Sequence, residues 1–114
     1  MTTEEIIEAR ESIAKLGGYE LITVFPPNIW SNGRKRILNI SFDKPKSYAV
    51  LLEILEKIEQ ENDLIIEVKR NECSISKMHL TRNQKFITID GENSKQQAVF
   101  QALSKLSKEY TNYL

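Results

Sequence analysis

The residues with the most chemistry to offer lie between positions 26 and 36, Pro-Pro-Asn-Ile-Trp-Ser-Asn-Gly-Arg-Lys-Arg. Trp30 is the only tryptophan of the chain, and Arg34, Lys35 and Arg36 are its densest basic run. An indole offers a flat face on which any nucleobase stacks, and guanidinium groups pair with phosphate through parallel N–H donors. Asn28, Ser31 and Asn32 add amide and hydroxyl groups able to read a base edge. The same residue types suit protein recognition, because Trp and Arg are enriched among the side chains that dominate interfaces. A structural role competes with both, since a Trp in a long hairpin loop often folds back over one end of a core. Asn28, Trp30, Asn32, Arg34, Lys35 and Arg36 are the candidate contact residues, for a protein partner first and an anionic nucleotide second.

Elsewhere the chemistry is thin. His79 is the only imidazole and Cys73 the only thiol. On one extended strand their spacing corresponds to about 20 Å, too far for a Cys/His dyad. Cys73 reads instead as a small buried hydrophobe. One His and one Cys do not make a zinc site, and the glutamates at 4–11 and 53–61 read as wet helix faces. Gly17-Gly18 precedes a strand and not a helix N-terminus, so it lacks the geometry of a phosphate-cradling loop. No catalytic residue, metal ligand or cofactor is assigned, and the chain reads as a non-enzyme.

The elements that must position these residues follow from periodicity. Thr2 and Glu5 have capping-box spacing ahead of a helix over 3–16, with Ile6, Ala9, Ile13 and Leu16 on one face and Gly17-Gly18 as its stop. Residues 19–25 are β-branched and aromatic, which predicts a strand ended by Pro26-Pro27. Leu38, Ile40 and Phe42 alternate with polar residues and predict a second strand over 35–42. Joining the two as a hairpin leaves a connection of about nine residues, where two to five is usual. A second helix to about residue 61 buries Tyr48, Leu51, Leu52, Leu55 and Ile58. Three strands follow, over 64–70, 73–81 and 85–90, with a bulge expected near Ser76-Lys77 and turns at Asn71-Glu72 and Arg82–Gln84. Ser94 and Gln97 repeat the capping spacing before a last helix lined by Val99, Ala102, Leu103, Leu106 and Tyr110.

These elements make one α+β domain over residues 1–114, in the order α-β-β-α-β-β-β-α. The expected architecture is a mostly antiparallel sheet of about five strands with helices on one face. The alternative is an α–β–α sandwich, because some strands carry apolar residues on both faces. Ile22, Val24, Ile65, Ile87 and Ile89 are spare apolar positions on the expected outer face, and with the tyrosines of the last helix they point to self-association. The 114 residues suffice for one core without a disulfide or a metal.

Formal net charge is zero, which argues against general binding of duplex DNA, an affinity that depends on neutralised phosphates. The zero hides a division. Residues 25–52 and 68–89 each carry five bases and one acid, whereas residues 53–67 carry six acids and one base. Strand segments are therefore basic and two helices acidic. An acidic N-terminus, no apolar run near the ~20 residues that span a bilayer, and a lone cysteine together point to the cytoplasm.

Residues 45–106 carry one resemblance. Helix Lys46–Ile58, strand Leu64–Val68, a strand pair, then Ile89-Asp90-Gly91-Glu92 before Ala98-Val99-Phe100-Gln101-Ala102-Leu103 resembles the small phage-encoded ABA-sandwich proteins, in which an acidic turn precedes an Ala-rich closing helix. The Pro and Cys often found at that helix start are missing, and residues 1–44 do not match. The resemblance implies a phage or mobile-element accessory protein and brings no catalytic residue with it.

Overall fold

Thr2 opens the first helix, α1 (Thr3–Leu16). Its hydroxyl accepts from the Glu5 N–H at 3.1 Å and donates to the Glu5 carboxylate at 3.3 Å, which satisfies one orphan donor of the first turn. Ala9, Ile13 and Ala14 are buried with Ile6 and Leu16 packed beside them, the stripe that the spacing predicts. Gly17 ends the helix against Ile54, where a Cβ would stand 2.7 Å from the isoleucine Cγ1. The computed structural model describes residues 1–23, 25, 28–78 and 84–114.

Two three-stranded antiparallel sheets follow, joined by a helix, in place of the expected single sheet of about five strands. The first has the order β1 (Glu20–Thr23), β2 (Ile29–Ser31), β3 (Arg36–Leu38). β2 is the unforeseen strand. It lies inside the stretch expected to be a loop, so the long hairpin is really two short ones. β3 ends at Leu38, well short of residue 42.

The break at Asn39 has a clear cause. Asn39 adopts a left-handed backbone (φ 51°), its N–H donates to the Asn28 carbonyl at 2.8 Å, and its Oδ1 accepts from the Asn28 N–H at 3.1 Å. An Asn tolerates this conformation better than other side chains do, and the two bonds close the ladder. The chain then leaves the sheet and drives Ile40 and Phe42 into the core without strand pairing. Two glutamines hold the segment there. Gln96 Nε2 donates to the Phe42 carbonyl at 2.6 Å and to that of Lys44, and Gln97 Nε2 donates to the Asp43 carbonyl at 2.7 Å. With those carbonyls committed to side chains, no strand continues from the first sheet into the second.

A single 3-10 turn at Pro45–Ser47 leads into α2 (Tyr48–Asn62), which buries Leu51, Ile54, Leu55 and Ile58 and stops at Asp63 in a left-handed conformation (φ 52°). The second sheet is β4 (Leu64–Lys69), β5 (Glu72–Lys77) and β6 (Gln84–Ile89) in that order. Its register slips between Ile75 and Ser76, since Ile75 faces Ile87 while Ser76 faces Lys85. The expected bulge is therefore one residue early, with its extra residue, Phe86, on the partner strand. Phe86 stacks on Tyr113 with ring centroids 4.1 Å apart and planes 10° from parallel, and meets Tyr110 at 5.2 Å.

Ser94 caps α3 (Lys95–Glu109), accepting from the Gln97 N–H at 3.2 Å. α3 packs across all three strands of the second sheet, with α2 along β4 and α1 against α3. Leu64, Cys73, Ile75 and Ile87 meet Phe100, Leu103 and Leu106 in this core. The other face of the sheet presents Glu67, Ser74 and Thr88 in one cross-strand row, and Ile65, Ser76 and Lys85 in the next. Among the described residues no helix is long and apolar enough to cross a membrane.

Candidate functional site

The stretch 28–36 is a strand and a tight turn. Asn32 builds the turn: its Oδ1 accepts from the N–H groups of Arg34 at 3.0 Å and Lys35 at 2.8 Å, and its own N–H donates to the Lys35 carbonyl at 3.2 Å. This is the local competition with the ladder that makes Asn a turn residue. Gly33 takes the left-handed position (φ 88°), and its N–H reaches Ser31 Oγ at 3.2 Å.

Trp30 lies in the middle of β2, opposite Leu21 on β1 and Ile37 on β3. It is 4% exposed and is the one buried side chain among the residues of these three strands. Depressions of about 210 and 340 Å³ flank it, and both are shared with Glu11 of α1. The cations lining them are Arg10 and Lys15, not the basic run of 34–36. Among the described residues the indole Nε1 has no hydrogen-bond partner, although it is shut off from solvent. Leaving such a donor unpaired costs about 1–3 kcal/mol, so Trp30 holds the sheet through its apolar area and not through its polar end.

The six candidate residues therefore part company. Asn28 is exposed beside Asn39, at the end of the ladder. Asn32 and Lys35 belong to the turn, where the Lys35 ammonium reaches the Glu53 carboxylate at 3.3 Å. Arg34 lines a shallow depression with Gly17, Gly18, Asn32 and Lys57. Arg36 stands next in register to the Ile37 that faces Trp30, so alternation sends it to the opposite face of the sheet. Trp30 and the two arginines do not converge on one cleft. His79, Arg82, Val24 and Pro26-Pro27 lie outside the described residues.

The outward face of the first sheet holds Ile22, one of the expected spare apolar positions, together with residues that reading by type did not join to it. Glu20, Ser31 and Arg36 form one cross-strand row, and Thr23, Ile29 and Leu38 the next, with Ile22 as the extra residue of a bulge between Leu21 and Thr23. Ile22 is 60% exposed and Leu38 62%, and Phe25 just beyond the end of β1 is 77% exposed. Of the spare apolar positions expected from sequence, Ile22 is open, but Ile87 is 1% exposed and Ile89 packs against the core. Those two belong to the helix-facing side because the register pairs them with Ile75 and Cys73. Leu38 does not share a buried face with Ile40 and Phe42, because the strand ends there and the chain turns aside at Asn39.

Charged groups inside the protein serve structure. Asp43 is 8% exposed. Burial pushes its carboxyl pKa up, but Arg10 Nε at 2.6 Å, a backbone N–H and Lys44 outweigh that and hold it below the usual carboxylate value. Gln96 Oε1, close by on the same glutamine that grips residues 42 and 44, is buried with no partner among the described residues. The Cys73 thiol is pushed up to about 12 by burial, with Glu59 and Glu72 adding to it, so at neutral pH it is no thiolate nucleophile. Burial raises the hydroxyls of Tyr19, beside Glu53, and of Tyr48, beside Cys73. Among the described residues no cluster of His, Cys, Asp and Glu could hold a metal ion.

Comparison with protein-family models, with curated proteins and with solved structures finds no match. The site stands on its geometry alone.

Proposed function

We propose that this chain is a small non-enzymatic accessory or inhibitor protein, acting by contact with another protein through the outward face of its first sheet. One observation carries the reading. Ile22, Phe25 and Leu38, three of the most exposed large apolar side chains, gather on and beside one small sheet, whereas on the outward rows of the second sheet a half-buried Ile65 stands among small, polar and charged residues. A contiguous apolar patch rimmed by charge marks an interaction surface more often than chance exposure does. The resemblance of residues 45–106 to phage accessory proteins is of the same kind, a protein without catalytic residues.

A photo-reactive residue placed at Leu38 and, as control, at Thr88 tests this. The expected result is adducts of defined mass at position 38 alone, lost when Ile22→Asp is added. Equal labelling at both positions overturns the reading. A nucleotide-binding module makes a different demand, since Trp30 would have to leave the core to stack on a base. Emission of the lone Trp is expected to stay unchanged across a panel of mono-, di- and cyclic nucleotides.

A further inference from the structure

Building on that contact surface, we infer that its occupant is a second copy of this chain, docked sheet to sheet about a two-fold axis that runs along β2. The register supplies the reason. Glu20 and Arg36 flank Ser31 from opposite edges of the sheet, one row away from Thr23, Ile29 and Leu38. Glu20 and Arg36 are both exposed, and neither has an ion-pair partner among the described residues. A two-fold axis along the central strand, midway between two such sheets, lays β1 of each copy over β3 of the other and leaves every row in place. Glu20 then meets the partner's Arg36 twice, once on each side of the axis. In the next row Ile22 and Thr23 meet the partner's Leu38, and Ile29 meets its own copy on the axis. An isologous interface needs a patch that is complementary to itself, and opposite charges placed symmetrically about a central apolar strand satisfy that condition. Aligned sheets pack about 10 Å apart, a gap that a Glu and an Arg side chain close from the two sides.

The second sheet offers no such arrangement. Its outward rows Glu67, Ser74, Thr88 and Ile65, Ser76, Lys85 place no acid and base at opposite edges, and the charges of the third, Lys69 and Glu72, sit on adjacent strands and face each other within one sheet. The nucleotide alternative gains nothing from this face, because Trp30 points the other way.

The test is charge reversal with complementation, read by light scattering from low to high micromolar concentration. Wild-type protein is expected to rise from the 13.2 kDa of one chain toward twice that mass. Glu20→Arg and Arg36→Glu, each alone, put two like-charge contacts into the interface and should raise the dimer Kd by at least about tenfold. An equimolar mixture of the two variants should recover wild-type association, because the heterodimer again sets opposite charges face to face. Both positions are exposed, so the single variants should keep the far-ultraviolet spectrum of the wild type. A wild type that stays at one chain throughout, or a mixture that associates no better than its components, overturns the inference. Position-38 adducts with a mass other than twice the chain would then leave the contact reading standing while removing the second copy as the occupant.

Discussion

β5 alone buries two side chains on its helix-facing side, Cys73 and Ile75, whereas the three strands of the first sheet together bury only Trp30. Both sheets are three-stranded and antiparallel, so the difference lies in what covers them. The second sheet has α3 across all of its strands. The first reaches the body through the Trp30 indole, the half-buried Ile37 beside it, the Lys35–Glu53 pair and the segment 39–44 pinned by Gln96 and Gln97. An exposed ion pair such as Lys35–Glu53 contributes at most about 1 kcal/mol, which leaves the indole, Ile37 and the pinned segment as the main attachments. Opening free energies in a protein range from near zero to the global value according to such cover. Amide exchange should therefore proceed through local opening at Leu21, Trp30 and Ile37, and only through global unfolding at Ile66 and Ile75.

Substitutions sharpen the contrast. Ile75→Ala, at 0% exposure in the second core, should cost about 4 kcal/mol of global stability, measured by denaturant unfolding. Trp30→Ala should remove about 3 kcal/mol of apolar contact locally. Its signature is loss of exchange protection across the first sheet while the second keeps its own; equal loss in both would show that the two form one cooperative unit. Arg10→Ala should cost about 2 kcal/mol, because Asp43 is left buried without its charged donor.

The same pair sets an acid limb. Asp43 has a lowered folded pKa, so its contribution is present above the unfolded value of 3.8 and is lost as pH falls through the folded one. Asp43→Asn should flatten stability against pH in that acidic range alone. The smallest stability effect belongs to Leu38→Asp, within about 0.5 kcal/mol for a site 62% exposed, yet this change should abolish association. Cys73 should stay unreactive toward a thiol reagent at pH 7 until the second core unfolds, since its thiol is pushed up to about 12.

The helices were legible because their signals are local. Capping at Thr2 and Ser94 and the buried stripes of α1 and α3 follow from 3.6-residue spacing that the backbone alone enforces, and the structure departs from them little. The α+β class and the strands of the second sheet, though not their separation from the first, were legible for a similar reason, as alternation over 64–70 names a face without knowledge of what lies on it. β2 was not legible. Three residues between a Pro-Pro pair and an Asn-Gly turn are too short to show a period, and β-branched character there is confined to Ile29. The end of β3 was hidden as well, since the alternation of Leu38, Ile40 and Phe42 continues past the point where Asn39 turns the chain aside.

The stretch from Asn28 to Arg36 shows where that division falls. Its residue types, by themselves, decided that an aromatic ring, two arginines and a turn-forming Asn would lie within a few residues of one another. Which of them meet was a matter of pairing. In a strand successive side chains take opposite faces, so once β2 formed between β1 and β3, Trp30 went inward and Arg36, with Glu20 across the same row, went outward. Long-range register separated the indole from the guanidiniums and brought together Ile22, Ile29 and Leu38, which no local pattern joins.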